Sequence, residues 1–331
     1  MPSDQAWVGI AVPRPSVRLP GVSMAGFRHR APASVDISMI AYPSVTLLVD
    51  LGEGEGVVYE APGRHERGSV VAGLLPGELR ATGRGAGQLL QIRLDPVAAA
   101  ALLGGASAEL SGTVAALEDV WGRDAGQAED RLRTAASWDE RFTIAVDILG
   151  RRLGDHPPAD PQVAHAWRRT LSSRGRVRID GLADEVGWSR KRLWSRFRSQ
   201  LGITPKRAAR LVRFDHAAHL LAAGHAAARV AAESGYVDQS HLHREVATFA
   251  GLTPTALAVA PWLAVDDVAW PASSPAGAST PSCDEPHAQS SRLGMALPHR
   301  PSSTPCPPTR TPGSSARSPR FTLTAASLRG P

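Results

Sequence analysis

One pattern of turn, cap and apolar residues is written twice between residues 179 and 256, and no other feature constrains this chain as tightly. The first copy runs Leu182, Ala183, Val186, Gly187, Trp188, Ser189, Leu193, Phe197, Gly202, Thr204, Pro205. The second runs Val230, Ala231, Ser234, Gly235, Tyr236, Leu242, Val246, Gly251, Thr253, Pro254. Leu193 to Leu242, Phe197 to Val246, Gly202 to Gly251 and Pro205 to Pro254 are each 49 residues apart, whereas Gly187 to Gly235 and Trp188 to Tyr236 are 48 apart. One extra residue therefore sits in the second turn.

Each copy predicts two short helices joined by a tight turn. Glycine ends the first helix, because the reversing residue must be left-handed and only glycine adopts that conformation without steric cost. An aromatic, Trp188 or Tyr236, fills the angle between the helices. Ser189 and Asp238 are placed to cap the second helix by accepting from its free backbone amides. Leu193 with Phe197, and Leu242 with Val246, share the face that holds that helix to the first.

The opposite face carries Arg190, Lys191, Arg192, Trp194, Ser195, Arg196 and Arg198 in the first copy, next to the cap Ser189. In the second copy it carries Gln239, Ser240, His243 and Arg244. These side chains can hydrogen-bond base edges or neutralise phosphates, as a recognition helix in a major groove must. A solvated basic surface would account for either run alone; two copies at a fixed spacing favour DNA. Between them, Pro205 to about Ala223 predicts one long helix with an apolar stripe of Ala208, Leu211, Val212, Phe214, Ala218 and Leu221, stopped at Gly224.

On these residues, positions 160 to 260 resemble the DNA-binding domain of the AraC/XylS family of bacterial transcription regulators. The signature stretch here is Gly235-Tyr-Val-Asp-Gln-Ser-His-Leu-His-Arg-Glu-Val-Ala-Thr-Phe-Ala-Gly-Leu-Thr-Pro254. Two departures stand out: Val246 where the family usually has phenylalanine, which implies a thinner second core, and Trp194 at an outward position. The resemblance implies two recognition helices facing adjacent major grooves, about 34 Å apart for one helical turn, so that one chain reads a bipartite site. Lys191, Trp194 and Ser195, with Gln239, Ser240, His243 and Arg244, are then the candidates for base contacts, and Arg190, Arg192, Arg196 and Arg198 for the phosphate backbone.

The charge is placed accordingly. Residues 1 to 159 carry a net −4, residues 160 to 260 carry +8 and residues 261 to 331 carry +2, so the surplus lies where a polyanion would bind. Only Lys191 and Lys206 are lysines among the 37 basic residues, a bias that a GC-rich genome explains without reference to function. The two cysteines, Cys283 and Cys306, suggest neither a disulfide framework nor a metal cluster. No apolar run approaches the roughly 20 residues of a membrane span, and residues 1 to 20 lack the layout of a signal peptide. A cytoplasmic, nucleoid-associated protein is expected.

Residues 21 to 95 predict short strands: Ser44–Leu51 and Val57–Glu60 as a hairpin, with further strands at Ser69–Leu75 and Gln88–Leu94. A small antiparallel β-barrel of cupin-like form is the natural closure. Residues 1 to 20, with four prolines, are expected to be extended or loosely packed. The glycine clusters at 52–56 and 83–87 each lead into a strand, not a helix, and so fail as phosphate loops. His29 and His65 stand 36 residues apart without companion ligands, so no metal site is expected. No nucleophile or paired-carboxylate motif asks for catalysis.

From Asp95 the period becomes helical: Asp95-Pro96 caps an alanine-rich helix through Leu103, and later segments carry Leu110, Val114, Leu117, Val120 and Trp121, then Leu132 to Leu153. The strands, this helix and Trp-x-x-Arg-Phe at 138–142 resemble the sensory half of some regulators of the same family, which implies a ligand-responsive or dimerising domain. Val45, Leu47, Val49 and Ile92 are candidate pocket walls and equally candidate core. Asp155-His-Pro-Pro-Ala-Asp-Pro161 is the expected linker, and residues 263 to 331, with 13 of the 27 prolines lying beyond residue 260, the expected disordered tail.

The expectation is therefore an α+β protein: a barrel-and-helix sensor at 1–154, a linker at 155–161, an all-α reader at 160–260, and a tail. Its function is that of a sequence-specific transcription regulator, activator or repressor, and not of an enzyme, with no cofactor. Double-stranded promoter DNA is the expected partner, with RNA polymerase, a small-molecule effector and a second copy of the chain as further candidates. A metal-binding cupin-like enzyme and a protein-interaction module are the alternatives.

Overall fold

The run Val-Thr-Leu-Leu-Val-Asp at 45–50 lacks the alternation of a half-exposed strand, and its burial follows: all residues but Asp50 are buried. A strand with this pattern must be covered on both faces. In the computed structural model, which describes residues 7–17, 19–29, 34–52, 56–61, 63–75, 77–84, 87–260, 263, 266, 269 and 270, that strand lies inside a six-stranded sheet.

The strands are β1 (Trp7–Ala11), β2 (Val22–His29), β3 (Ser34–Met39), β4 (Val45–Asp50), β5 (Val58–Ala61), β6 (Arg64–Arg67), β7 (Val70–Ala72), β8 (Leu79–Arg84), β9 (Gln88–Leu94) and β10 (Val114–Ala116). The larger sheet has the order β1-β2-β9-β4-β7-β10 and the smaller β3-β8-β5-β6, with every pairing antiparallel. The expected barrel is not closed. Among the described residues the edge strands of the two sheets do not hydrogen-bond to one another, and the domain is a two-sheet sandwich with helices on one outer face.

Parity along β4 decides which residues meet which layer. Leu48, with Val70, Ala72 and Val114, packs against Tyr59, Leu79 and Ala81 of the smaller sheet. Val45, Leu47 and Val49, with Ile92 and Leu94, pack instead under Leu102, Phe142 and Leu149 of the helical layer. The expected pocket walls are thus core beneath helices. The expected hairpin between β4 and β5 is also absent: both edges of β4 are taken, by β9 and β7, so the chain crosses to the other sheet and β5 pairs with β6 and β8. Val114–Ala116, expected to be helical, is strand β10, because the free edge of β7 supplies backbone partners.

The helices are α1 (Pro96–Leu103), α2 (Gly105–Glu109), α3 (Leu117–Trp121), α4 (Arg123–Thr134), α5 (Trp138–Arg152), α6 (Pro161–Ser172), α7 (Ile179–Glu185), α8 (Arg190–Leu201), α9 (Pro205–Ala222), α10 (Ala227–Glu233), α11 (Gln239–Ala250) and α12 (Pro254–Ala258). Asp95 caps α1 as expected, accepting from the Val97 amide at 2.9 Å. Its other oxygen accepts from Trp167 Nε1 of α6 at 2.6 Å, so the same carboxylate ties the N-terminal half to the first helix after the linker. Burial raises the pKa of Asp95, against the lowering effect of these hydrogen bonds. One apolar cluster runs without a break from Met24 through Phe142 and Trp167 to Leu257 and Leu263.

Residues placed in the tail by composition are packed. Leu263, Asp266, Ala269 and Trp270 are buried, with Ala269 and Trp270 against Ala25 and Phe27 of β2. Residues 271–331, where disorder is expected, lie outside the described residues.

Burial of β4 on both faces makes a direct prediction. Leu47→Ala and Leu48→Ala, on opposite faces, should each destabilise the protein by about 2–5 kcal/mol in denaturant melts, as for large-to-small changes in a closed core. A loss below about 1 kcal/mol for either would show that its face is open.

Candidate nucleic-acid interface

The two repeats fold as two helix-turn-helix units. In the first, α7 ends at Gly187 (φ +67°), and the hydroxyl of Ser189 accepts from the Arg192 amide at 3.2 Å to start α8. In the second, α10 ends at Gly235 (φ +73°), and Asp238 Oδ1 accepts from the His241 amide at 2.6 Å to start α11. Both second helices end on a left-handed glycine, Gly202 and Gly251, followed by a threonine cap and a proline. Leu193, Phe197, Leu242 and Val246 are completely buried. The side chain the core lacks at Val246 is supplied next door: Phe249 is buried and stacks on Phe214 of α9 at 5.0 Å between centroids.

All twelve candidate side chains, Ser189, Arg190, Lys191, Arg192, Trp194, Ser195, Arg196, Arg198, Gln239, Ser240, His243 and Arg244, are exposed on α8 and α11 or at the cap. They differ in how far the fold already engages them. Arg196 is bound in bidentate fashion to Asp160 at 2.7 and 2.9 Å, which ties α8 to the end of the linker and holds the Asp160 carboxyl below its usual range. Arg190 pairs with Asp180 at 3.0 Å across an exposed surface, an interaction of small energy. Arg192 lies over the Trp188 ring and Arg198 over Trp194. Lys191, Ser195, Ser240 and Arg244 make no side-chain bond among the described residues. Trp194 is 47% exposed, a large apolar ring on a basic helix face.

The second unit depends on a pair that the sequence reading missed. Glu245, on the inward flank of α11, is buried and accepts from Arg210 of α9 through Nη2 at 2.7 Å and Nε at 3.1 and 3.2 Å. That hydrogen bonding keeps Arg210 firmly charged. The available signal was an acid beside Val246 on an otherwise apolar flank, since a carboxylate buried there must be paired.

The N-terminal half touches both units. The C-terminal end of α8 rests on α2 so closely that a Cβ on Gly202 would come within 2.7 Å of the Ala108 carbonyl. Ala41 donates its amide to the Phe249 carbonyl at 3.3 Å, and Arg207 of α9 reaches the Leu75 carbonyl at 3.4 Å. Both recognition helices are thereby braced at or near their C-terminal ends.

The sequence itself assigns this arrangement. Residues 182–258 match the family described as "Helix-turn-helix domain". They are a helix-turn-helix domain of the AraC type. The chain is accordingly a DNA-binding protein of the transcription-regulator class. Solved structures similar to it include ToxT from Vibrio cholerae O395, 11% identical over 71% of this chain and 96% of that one, with a TM-score of 0.41. The C-terminal domain of AraT, a response regulator from Geobacillus stearothermophilus, is 20% identical over 30% of this chain and 85% of its own, with a TM-score of 0.29. The AraC-like transcriptional activator CuxR is 14% identical over 58% and 76%, with a TM-score of 0.28. No curated protein matches the chain. Among the described residues no helix is long and apolar enough to cross a membrane, and no three His, Cys, Asp or Glu side chains are grouped to hold a metal ion.

Two predictions follow from the supporting contacts. Glu245→Ala should destabilise the AraC-type domain by about 1–3 kcal/mol, less than the roughly 3–5 kcal/mol of a fully buried broken pair because the half-exposed Arg210 can turn toward solvent; calorimetric melting checks it. His216 on α9 is buried and its pKa is pushed down to about 4, by desolvation first and then by Arg174 and Arg176. A histidine held neutral when folded contributes stability that is complete above its unfolded pKa and is lost as pH falls from there toward the folded value. His216→Gln should therefore narrow the drop in melting temperature between pH 7 and pH 4.5, and equal drops in both proteins would contradict this assignment.

Proposed function

We propose that one chain reads two adjacent major grooves of promoter DNA, α8 in one and α11 in the other, and that the N-terminal half modulates this reading. The observation that carries it is the pair of capped recognition helices, both fastened to α9 and both braced by the N-terminal half, with their polar faces left open. A rigid mount of this kind fixes the separation of two readers, which is what a bipartite site requires.

Lys191, Trp194, Ser195, Gln239, Ser240, His243 and Arg244 face the bases in this reading. Arg190, Arg192 and Arg198 position the phosphates, and Ser189 serves through its cap. Arg196, already engaged by Asp160, acts as a strut between α8 and the linker. Support for modulation comes from the shared core and the Asp95–Trp167 contact, through which any rearrangement of the sandwich reaches α6. A small-molecule effector, a second copy of the chain and RNA polymerase are the partners such a regulator would have.

The test is binding of the full chain to its own upstream DNA and to a scrambled duplex over a salt series. Preference for the native duplex by orders of magnitude near physiological salt is expected. Equal binding to both that disappears with salt would mean a merely basic surface. Within the same assay Arg244→Ala should cost about 1–3 kcal/mol on the preferred duplex only. A uniform loss on both duplexes, with the salt slope lowered by about one, would move Arg244 to the phosphate-contacting group.

A further inference from the structure

A cavity of about 230 Å3 opens where the sheet, α9 and the segment ending at Trp270 meet. Its walls are polar and unevenly charged. Arg93 of β9 bonds Asp266 through Nη2 at 2.7 Å, and its guanidinium lies between the rings of Tyr42, at 3.8 Å, and Trp270, at 4.2 Å. With both faces covered and its charge met by Asp266, Arg93 is committed to the fold and is a poor receptor for an anion.

The remaining groups favour the opposite charge. Asp215 of α9 faces the same cavity, and the imidazole beside it, His219, has its Nδ1 3.9 Å from the Asp215 carboxylate and 2.8 Å from the Asp215 carbonyl oxygen instead. Asp95 also lines the wall, its oxygens already engaged by Val97 and Trp167. Three carboxylates thus stand against one arginine and one imidazole. Asp266 is only 4% exposed, yet its Oδ2 has no hydrogen bond of good geometry, with His219 Nε2 3.7 Å away and the Tyr42 hydroxyl also facing this carboxylate; Ser44 Oγ in the same walls is unbonded too, as is the donor Arg93 Nε. Burial raises the Asp215 pKa, the signature of a carboxylate short of compensation. A half-open surface with a buried, unmet carboxylate oxygen and more carboxylates than basic groups is completed by a ligand that brings N–H donors and positive charge.

We infer that this cavity binds a small organic cation, a protonated amine or amidine, through Asp215 and Asp266. At roughly 30 Å3 per water-sized group it has room for about seven or eight such groups. The ligand would contact the sheet, α9 and the C-terminal segment at once, and α9 carries both recognition helices. The inference deepens the proposed modulation by the N-terminal half and rests on it only for an effect on DNA.

The test is calorimetric titration of the full chain with benzamidine, benzylamine and 1,4-diaminobutane, alongside benzoate, benzyl alcohol and butane-1,4-diol of matching shapes. At least one cation should bind about tenfold or more tightly than its neutral or anionic counterpart. Asp215→Asn, a change of charge at nearly constant volume, should remove that advantage while the variant melts cooperatively. Ser23→Trp, at an exposed position on the rim, should weaken cation binding without touching either carboxylate. The assignment is overturned if no cation binds, if benzoate or the alcohols bind as well, or if Asp215→Asn binds cations as the wild type does. Cation binding that leaves DNA affinity unchanged would support the site and contradict modulation, which separates the two failures.

Discussion

Helix α9 is the constraint on which the other elements depend. Ten of its residues are buried, and it makes side-chain bonds outward in several directions: Arg210 to Glu245 of α11, Arg213 to the Gly175 carbonyl, and Arg207 to the Leu75 carbonyl of the N-terminal half. Its apolar side chains join the cluster that holds Leu193 and Phe197 of α8 on one side and Leu242 and Val246 of α11 on the other. Two recognition helices mounted on one rigid rod cannot change their separation independently. Helix-terminal caps fix where each begins, and the left-handed glycines Gly202 and Gly251 fix where each stops.

The division of labour among arginines follows from burial. Arg93, Arg196 and Arg210 are bound to carboxylates and join segments distant in sequence. Arg244 and Lys191 carry their charge on the surface with no such bond among the described residues. A positive charge that the fold neutralises contributes little to attraction of a polyanion, whereas an unpaired one on a helix face displaces counterions when a phosphate arrives. The +8 surplus of residues 160–260 therefore overstates the charge available to DNA.

What the sequence disclosed was local in character. Caps, turn glycines and the span of α9 all follow from spacings of a few residues, and the structure places each where those spacings put it. The sandwich was legible as strands but not as topology. β4 pairs with β9 and β7 across long stretches of chain, and a buried-on-both-faces strand gives no parity signal to say which side chains meet which layer. Val114–Ala116 has a helical sequence pattern and becomes a strand because β7 offers an open edge, a tertiary effect. The packed residues beyond Ala260 were hidden by their proline-rich surroundings: among the described residues Ala269 and Trp270 cover β2 and Asp266 binds Arg93, too few to shift the composition.

One chain is proposed to hold two readers at a fixed distance. The most direct measurement selects duplexes bound by the full chain from a random pool, identifies the two contacted boxes, and then inserts five base pairs between them. Half a helical turn would carry the second box to the far side of the DNA. Affinity should then fall to that of a duplex with only one box, and should recover in part when ten base pairs are inserted only if the chain can stretch, which a rigid α9 forbids. Binding that is indifferent to the five-base-pair insertion would contradict the account.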